Sequence, residues 1–344
     1  MNQDDAIEAV AAVSPDVCAP DWLRWITRIS IVFGVAGIIV TAWVVGVDTI
    51  FDHLRAIGPW FIALIACEMI ATFCDAYAVY LLTRGDGAPS FRDVVVAQFA
   101  GRAVNSVTPA SNLGEALKVS LLARNCSTSR VTAAVLYVVL AAVTMSLGVI
   151  AIGTVATAFM FSVPAIAKLA LCAAALVSAC LGATVIVLIR RGMLTTLTAL
   201  LARVRLISKE RQNHWNQLIA KDGSVPHRRG ALIAIATSQL IQKALTYVTV
   251  LAAGYELGPG QFLALLSAGV VLGWISTIIP MGLGISEGGN VALFALIGAP
   301  TALGVALALA RRVNQVVFAI LGFTILTADR VASRVHRQLR TAHA

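Results

Sequence analysis

NSVTPASNLGEALK, residues 105–118, interrupts a chain that otherwise reads as long apolar runs. PMGLGISEGGN, residues 280–290, interrupts it again in the second half. Each break places a glutamate a short step after a proline, Glu115 after Pro109 and Glu287 after Pro280, with glycine between. The first break is flanked by Phe91–Val104 and Leu113–Ala123, the second by Phe262–Ile279 and Val291–Ile297. The arms of the first break, 14 and 11 residues long, have about the length of re-entrant segments rather than full spans. Irregular polar backbone at membrane depth is tolerated only where protein buries it or where it lines a watery cavity. The breaks are therefore the first place to look for a site.

The composition sets the class. Of 344 residues, 59% are hydrophobic and 12% are charged, with a net charge of +9. A soluble domain carries about 25% charged residues, so the repeated apolar runs mark an all-α, polytopic integral membrane bundle. Full spans are expected near 26–47, 59–83, 131–153, 165–189, 231–253 and 301–326. That makes about 6 spans plus two broken pairs if these re-enter, or about 8 if they cross. The breaks divide the chain into a pseudo-repeat of two halves. Residues 1–24 form a polar leader with Asp4, Asp5, Glu8, Asp16 and Asp21, unlike the basic start of a cleaved signal, so the first span reads as an uncleaved anchor. A single transmembrane domain is expected over 25–330, with a basic interfacial segment at 190–230 and a basic tail at 331–344.

Basic residues give the orientation. Residues 190–230 carry nine Lys or Arg, and Arg330, Arg334, Arg337 and Arg340 follow the last span, whereas the loops near 48–58, 154–163 and 255–261 hold only Arg55. The positive-inside bias puts both termini in the cytoplasm of a bacterial-type plasma (inner) membrane. Leu194, Leu197, Leu200, Leu201, Val204 and Ile207 recur at helical steps among the basic residues, as in a helix lying on a membrane surface or packed on its own bundle.

The apolar runs hold too many charges for lipid-facing positions. Glu68, Asp75, Arg102, Glu115, Lys118, Lys243, Glu287, Arg311 and Arg312, with Asn314, imply a polar cavity inside the bundle. Glu68 and Asp75 are seven apart and share a helix face. Burying either in lipid costs roughly 2.5–3.5 kcal/mol, so that face turns inward. Structural pairing explains several of these residues equally well: Glu115 with Lys118, Glu68 with Lys243, Asp75 with Arg311. No Asp-x-Asp cluster, phosphate-binding loop or C-x-x-C pair occurs, and His53, His214, His227, His336 and His343 all fall in loops or tails. Neither a metal nor an organic cofactor is expected.

Asn105, Pro109, Gly114 and Glu115 in the first break, and Pro280, Gly282, Leu283, Gly284 and Glu287 in the second with Arg311 or Arg312 beyond, give the chain its family likeness. In these motifs, and in the order of spans over about 25–330, it resembles the flippase-like family typified by the transmembrane region of lysylphosphatidylglycerol synthase. It departs from the family pattern at Met281, at Ala110-Ser111-Asn112 and at Leu136-Tyr137. The resemblance implies a lipid translocase scaffold. The synthase reaction belongs to a separate soluble domain, which is not expected in a chain that ends soon after its last span, so no enzyme activity is expected.

The substrate-binding set is accordingly Asn105, Pro109, Gly114, Glu115, Lys118, Pro280, Gly282, Gly284, Glu287, Arg311 and Arg312, with Glu68, Asp75, Arg102, Lys243 and Asn314 as polar cavity residues. The expected ligand is a membrane lipid, an anionic phospholipid or a polyprenyl-linked head group. Arg311, Arg312, Lys118 and the helix ends would hold the anion, with Glu115 and Glu287 neutralising the site or carrying protons. A membrane-enzyme partner is allowed, nucleic acid is not expected, and the oligomeric state is open. Two alternatives remain: a membrane enzyme acting on a lipid-linked substrate, and a non-transporting scaffold recruiting partners through 190–230.

Overall fold

The computed structural model describes residues 58–85, 87–107, 113–123, 126–161, 164–190, 227–276 and 285–342. The leader, the expected first span, nearly all of the basic segment and the two break tips lie outside the described residues. Among the described residues the chain is helical throughout: α1 Pro59–Thr83, α2 Phe91–Val107, α3 Leu113–Leu122, α4 Thr128–Met160, α5 Ala165–Arg190, α6 Arg228–Ala252, α7 Pro259–Ser276, α8 Ile285–Leu296 and α9 Thr301–Ala342. Six of these, α1, α4, α5, α6, α7 and α9, are long and apolar enough to cross a membrane. The surprise is α7. It qualifies as a span by length, although in the sequence it reads only as the arm leading into the second break.

Local chemistry sets the helix ends. Ser90 opens α2 with a reciprocal box: its hydroxyl accepts from the Asp93 N–H at 3.2 Å, and the Asp93 carboxylate accepts from the Ser90 N–H at 3.2 Å. Pro59 and Pro259 begin α1 and α7, where a missing N–H goes unused. Helices α6 and α8 stop at Gly254 (φ 80°) and Gly298 (φ 70°). In each the next residue's N–H bonds five residues back, Tyr255 to Val250 at 3.3 Å and Ala299 to Phe294 at 2.9 Å. These are two Schellman ends, and they turn the chain sharply into α7 and α9. Beyond Gly322 the last helix meets neither proline nor glycine, and it continues to Ala342 through the basic tail.

Both broken pairs fold back on themselves. In the first, the Asn105 Oδ1 accepts from the Gly114 N–H at 2.7 Å. Further down, Gly101 lies against Lys118 so closely that a Cβ there would come within 2.5 Å of Lys118 Cε. Residue 105 opposite 114 and residue 101 opposite 118 define an antiparallel hairpin. At 1.5 Å per residue α3 is only about 15 Å long, half the hydrocarbon thickness, so by itself it is too short to span. In the second pair, Gly289 abuts Leu272 and the Gln261 Nε2 donates to the Ile297 carbonyl at 2.9 Å, again antiparallel.

The halves repeat each other's packing. Helices α1 and α6 pack on one another, α2 packs on α9 and α7 on α4, and α3 and α8 pack on the long helices that follow them, α4 and α9. Each lead-in arm thus crosses to the long helix of the opposite half. The same device makes both crossings close. Gly153 of α4 receives Leu263 and Ser267 of α7, while Gly322 of α9 receives Phe99 and Ala103 of α2. A Cβ on Gly153 would lie 2.6 Å from the Leu263 carbonyl oxygen. Small residues that let backbones approach are the usual currency of helix association in lipid.

Matching apolar cores lie under the two hairpins. Ala76, Val79, Val94, Ala97, Leu122 and Val131 join α1 to α4 around the first. Val250, Ala264, Leu293, Phe294 and Leu307 do the same from α6 to α9 around the second. Helix α5 stands apart on α4 and turns Ile166, Leu169 and Leu176 outward, as a lipid-facing helix should.

Candidate functional site

A cavity of about 440 Å³ lies where the halves meet. Helices α1, α2 and α4 line it from the first half and α6, α7 and α9 from the second, so matched helices supply each side. One wall of α7 is apolar, with Leu265, Leu266, Val270 and Trp274. The polar groups come from α6, as Gln239, Gln242, Lys243, Thr246 and Thr249, and from α9, as Arg311, Asn314 and Gln315. Glu68 of α1 and Arg102 of α2 complete it.

Charge divides unequally between the halves. Glu68 is ion-paired with Arg102, and the Arg102 Nη1 also donates to the Thr72 hydroxyl at 2.6 Å. The same guanidinium lies 4.5 Å over the Phe318 ring, which stacks on Phe99. Arg102 is thus held on three sides and neutralised. Lys243 and Arg311, which also line the cavity, lie in each other's field. Among the described residues neither has a carboxylate partner, and Arg311 has only a long hydrogen bond, 3.4 Å, to the Thr246 hydroxyl. Arg311 and the helix-mate Asn314 share the face that meets the cavity, while the adjacent Arg312 is buried and lines no part of it.

The pairings differ from those the sequence suggested. Glu68 is matched to Arg102 and not to Lys243. Asp75 faces Ser238 and feels Lys118 and Glu115, rather than Arg311. The reason is helix rotation: α2 packs between α1 and α9, which brings Arg102 to Glu68 before α6 presents Lys243.

The first break forms a tight polar knot of its own. Glu115 accepts from Lys118 Nζ at 2.8 Å and from Asn105 Nδ2 at 3.2 Å, while the same Asn105 caps the Gly114 N–H. Glu115 lies in the first turn of α3, where a carboxylate complements the positive helix end. Gly114 has no room for a side chain, because the Gly101 carbonyl and Asn105 occupy that space. One N–H of this helix end is thus capped from within the hairpin, and Asn105, Gly114, Glu115 and Lys118 are not part of the cavity wall. Asp75, in the field of Glu115 and Lys118, bonds Ser238, whose hydroxyl accepts from the cavity residue Gln242 through Nε2 at 3.2 Å. Pro109, Pro280, Gly282 and Gly284 lie outside the described residues. So does the Glu287 side chain, although its backbone belongs to α8.

Gln239, Gln242, Thr246, Thr249 and Gln315 line the cavity but are missing from the residues picked out by the sequence motifs. A signal for them existed. With Lys243, the α6 residues recur at steps of three and four and make one polar stripe on an otherwise apolar helix. Arg311, Asn314 and Gln315 repeat the spacing on α9.

No curated protein and no solved structure matches this chain. A family described as "Lysylphosphatidylglycerol synthase TM region" matches residues 25–322, nearly the whole length. With six helices able to cross a bilayer, the protein is an integral membrane protein of a lipid-related family. The chain belongs to the lysylphosphatidylglycerol synthase TM region family.

Proposed function

We propose that the protein is a lipid translocase that passes an anionic head group through the central cavity while the acyl chains stay in the bilayer. One observation carries this reading. Lys243 and Arg311 are two neighbouring cations on a cavity wall inside an apolar bundle, and among the described residues no carboxylate neutralises either. Keeping two like charges there without a counter-ion is costly, and a phosphate relieves the cost directly. A guanidinium and an ammonium together suit a phosphodiester.

The architecture supports movement as well as binding. The cavity lies between matched triples of helices, and each lead-in arm packs through a glycine notch on the opposite half. Sites between structural repeats, next to broken helices, are characteristic of alternating-access transporters. We read the protein as a transporter rather than an enzyme because Glu68, the one carboxylate on the wall among the described residues, is occupied by Arg102 and is poorly placed as a general base. We take both termini to be cytoplasmic from the basic residues of the 190–230 segment and the tail.

The test is head-group movement in vesicles reconstituted with purified protein. Labelled anionic phospholipid should cross faster than in protein-free vesicles, and Lys243→Gln and Arg311→Gln should each slow it at least tenfold. Wild-type rates in both variants would refute the assignment of these cations.

A further inference from the structure

We propose that the cavity selects anionic lipids whose phosphate bears a hydroxyl-rich head, a polyol or sugar, over those with a bare phosphate. This rests on the translocase reading and specifies its substrate class.

A site built for phosphate alone needs cations and backbone donors. This cavity has more. Four carboxamides, Gln239, Gln242, Asn314 and Gln315, surround Lys243 and Arg311, and the hydroxyls of Thr246 and Thr249 lie on the same α6 stripe. A carboxamide offers both a donor and an acceptor, which is the complement of a hydroxyl group. Most of these amides are not used up by the protein. Gln242 spends one N–H on Ser238, whereas Gln239 and Gln315 make no side-chain hydrogen bond among the described residues. The Asn314 Oδ1 is shielded from solvent and has no partner among the described residues.

A buried acceptor without a donor is rare in folded proteins and destabilises the fold when left so. Arg311 is one helical turn from Asn314, so a ligand whose phosphate rests on Arg311 brings its next substituent to Asn314. A hydroxyl donor there satisfies the orphaned oxygen; a bare phosphate, which at neutral pH is mainly acceptor, does not. Leu265, Leu266, Val270 and Trp274, which line the same cavity, leave an apolar and aromatic surface for the ring or carbon edge of such a group. A volume of about 440 Å³ accommodates a phosphate with a polyol and little more.

The experiment uses the full chain in vesicles doped with one labelled lipid at a time: phosphatidylinositol, phosphatidylglycerol, phosphatidic acid or phosphatidylcholine, at equal mole fraction. The expected result is transport of phosphatidylinositol and phosphatidylglycerol at least about tenfold faster than phosphatidic acid, since sites built to bond a hydroxyl reject ligands that lack it. Asn314→Leu and, on a separate helix, Gln239→Leu should each lower the ratio of phosphatidylinositol to phosphatidic acid rates at least fivefold. If Asn314→Leu does not fold, the Gln239→Leu ratio and the wild-type panel still decide. Equal wild-type rates for phosphatidylinositol and phosphatidic acid, or a ratio unmoved in both variants, overturn the selectivity while leaving an anionic-lipid translocase in place. Movement of no anionic lipid above protein-free vesicles removes the translocase reading itself, and the selectivity with it.

Discussion

Lys243 on α6 and Arg311 on α9 line one cavity within each other's electrostatic field, while Glu68, the one carboxylate lining it among the described residues, is bound to Arg102. Among the described residues the cavity charges of the first half are thus paired, and those of the second half have no carboxylate partner. An asymmetric cavity between symmetric halves can hold an anion at one wall and leave the other free to move.

That arrangement sets function against stability. Lys243→Met keeps much of the side-chain volume and removes one of two repelling charges, so it should raise the midpoint of thermal unfolding in detergent. A gain of roughly 1 kcal/mol is in line with replacing unpaired interior charge by apolar groups. Transport should fall in the same variant. A lower midpoint would mean that Lys243 has a stabilising partner in the folded protein.

Glu68 and Arg102 should behave in the opposite way. Glu68→Gln leaves a guanidinium without its counter-charge between α1 and α2 and should destabilise. The double variant Glu68→Gln/Arg102→Gln should recover part of the loss. Their side chains are 9% and 27% exposed, so screening is incomplete, and a coupling of about 1–3 kcal/mol is expected from a double-mutant cycle. Strict additivity would show that the pair does not tie α1 to the hairpin.

The glycine notches offer a paired test of the repeat. Gly153→Ala and Gly322→Ala each force a methyl onto the partner helix and should cost about 1–3 kcal/mol, to similar extents in the two halves. Gly148→Ala, in the same helix as Gly153 but with nothing within 4 Å of the added carbon, should instead be neutral or stabilising by about 0.5–1 kcal/mol. If Gly148→Ala proved as harmful as Gly153→Ala, backbone approach would not be what the glycines serve.

Asn105→Ala removes the cap on Gly114 and one of the two donors to Glu115, at a cost of about 1–2 kcal/mol. The loss should be local. Amide hydrogen exchange over 113–118 should speed up, with little change in α4 or α6. Unchanged exchange there would count against Asn105 as the hairpin clasp.

Much of this was legible in the chain. The apolar runs gave five of the six helices able to span among the described residues, α1, α4, α5, α6 and α9, and the polar residues within them announced an interior cavity. The shortness of the arm Leu113–Ala123 was legible too, and the helix there, Leu113–Leu122, is indeed short. The polar stripe from Gln239 to Thr249 was equally visible but was overshadowed by the motif glutamates, since single charges in apolar runs stand out more than amides. The length of α7 misled, because the second break reads as symmetrical with the first only at its centre.

Sequence by itself determined the class, the family, the two breaks and the residues too polar to face lipid, because hydropathy and chain-breaking are local properties that a linear pattern records. Tertiary structure alone decided which of those polar residues meet. Whether Glu68 takes Arg102 or Lys243, and whether Glu115 turns to the cavity or to Asn105 and Lys118, depends on how each helix is rotated about its axis. That rotation is set by packing between distant segments, such as Gly322 against Phe99 and Gly153 against Leu263. The breaks of residues 105–118 and 280–290 therefore mark where the helices fold back, and the paired stripes of α6 and α9 supply the cations that a head group would meet.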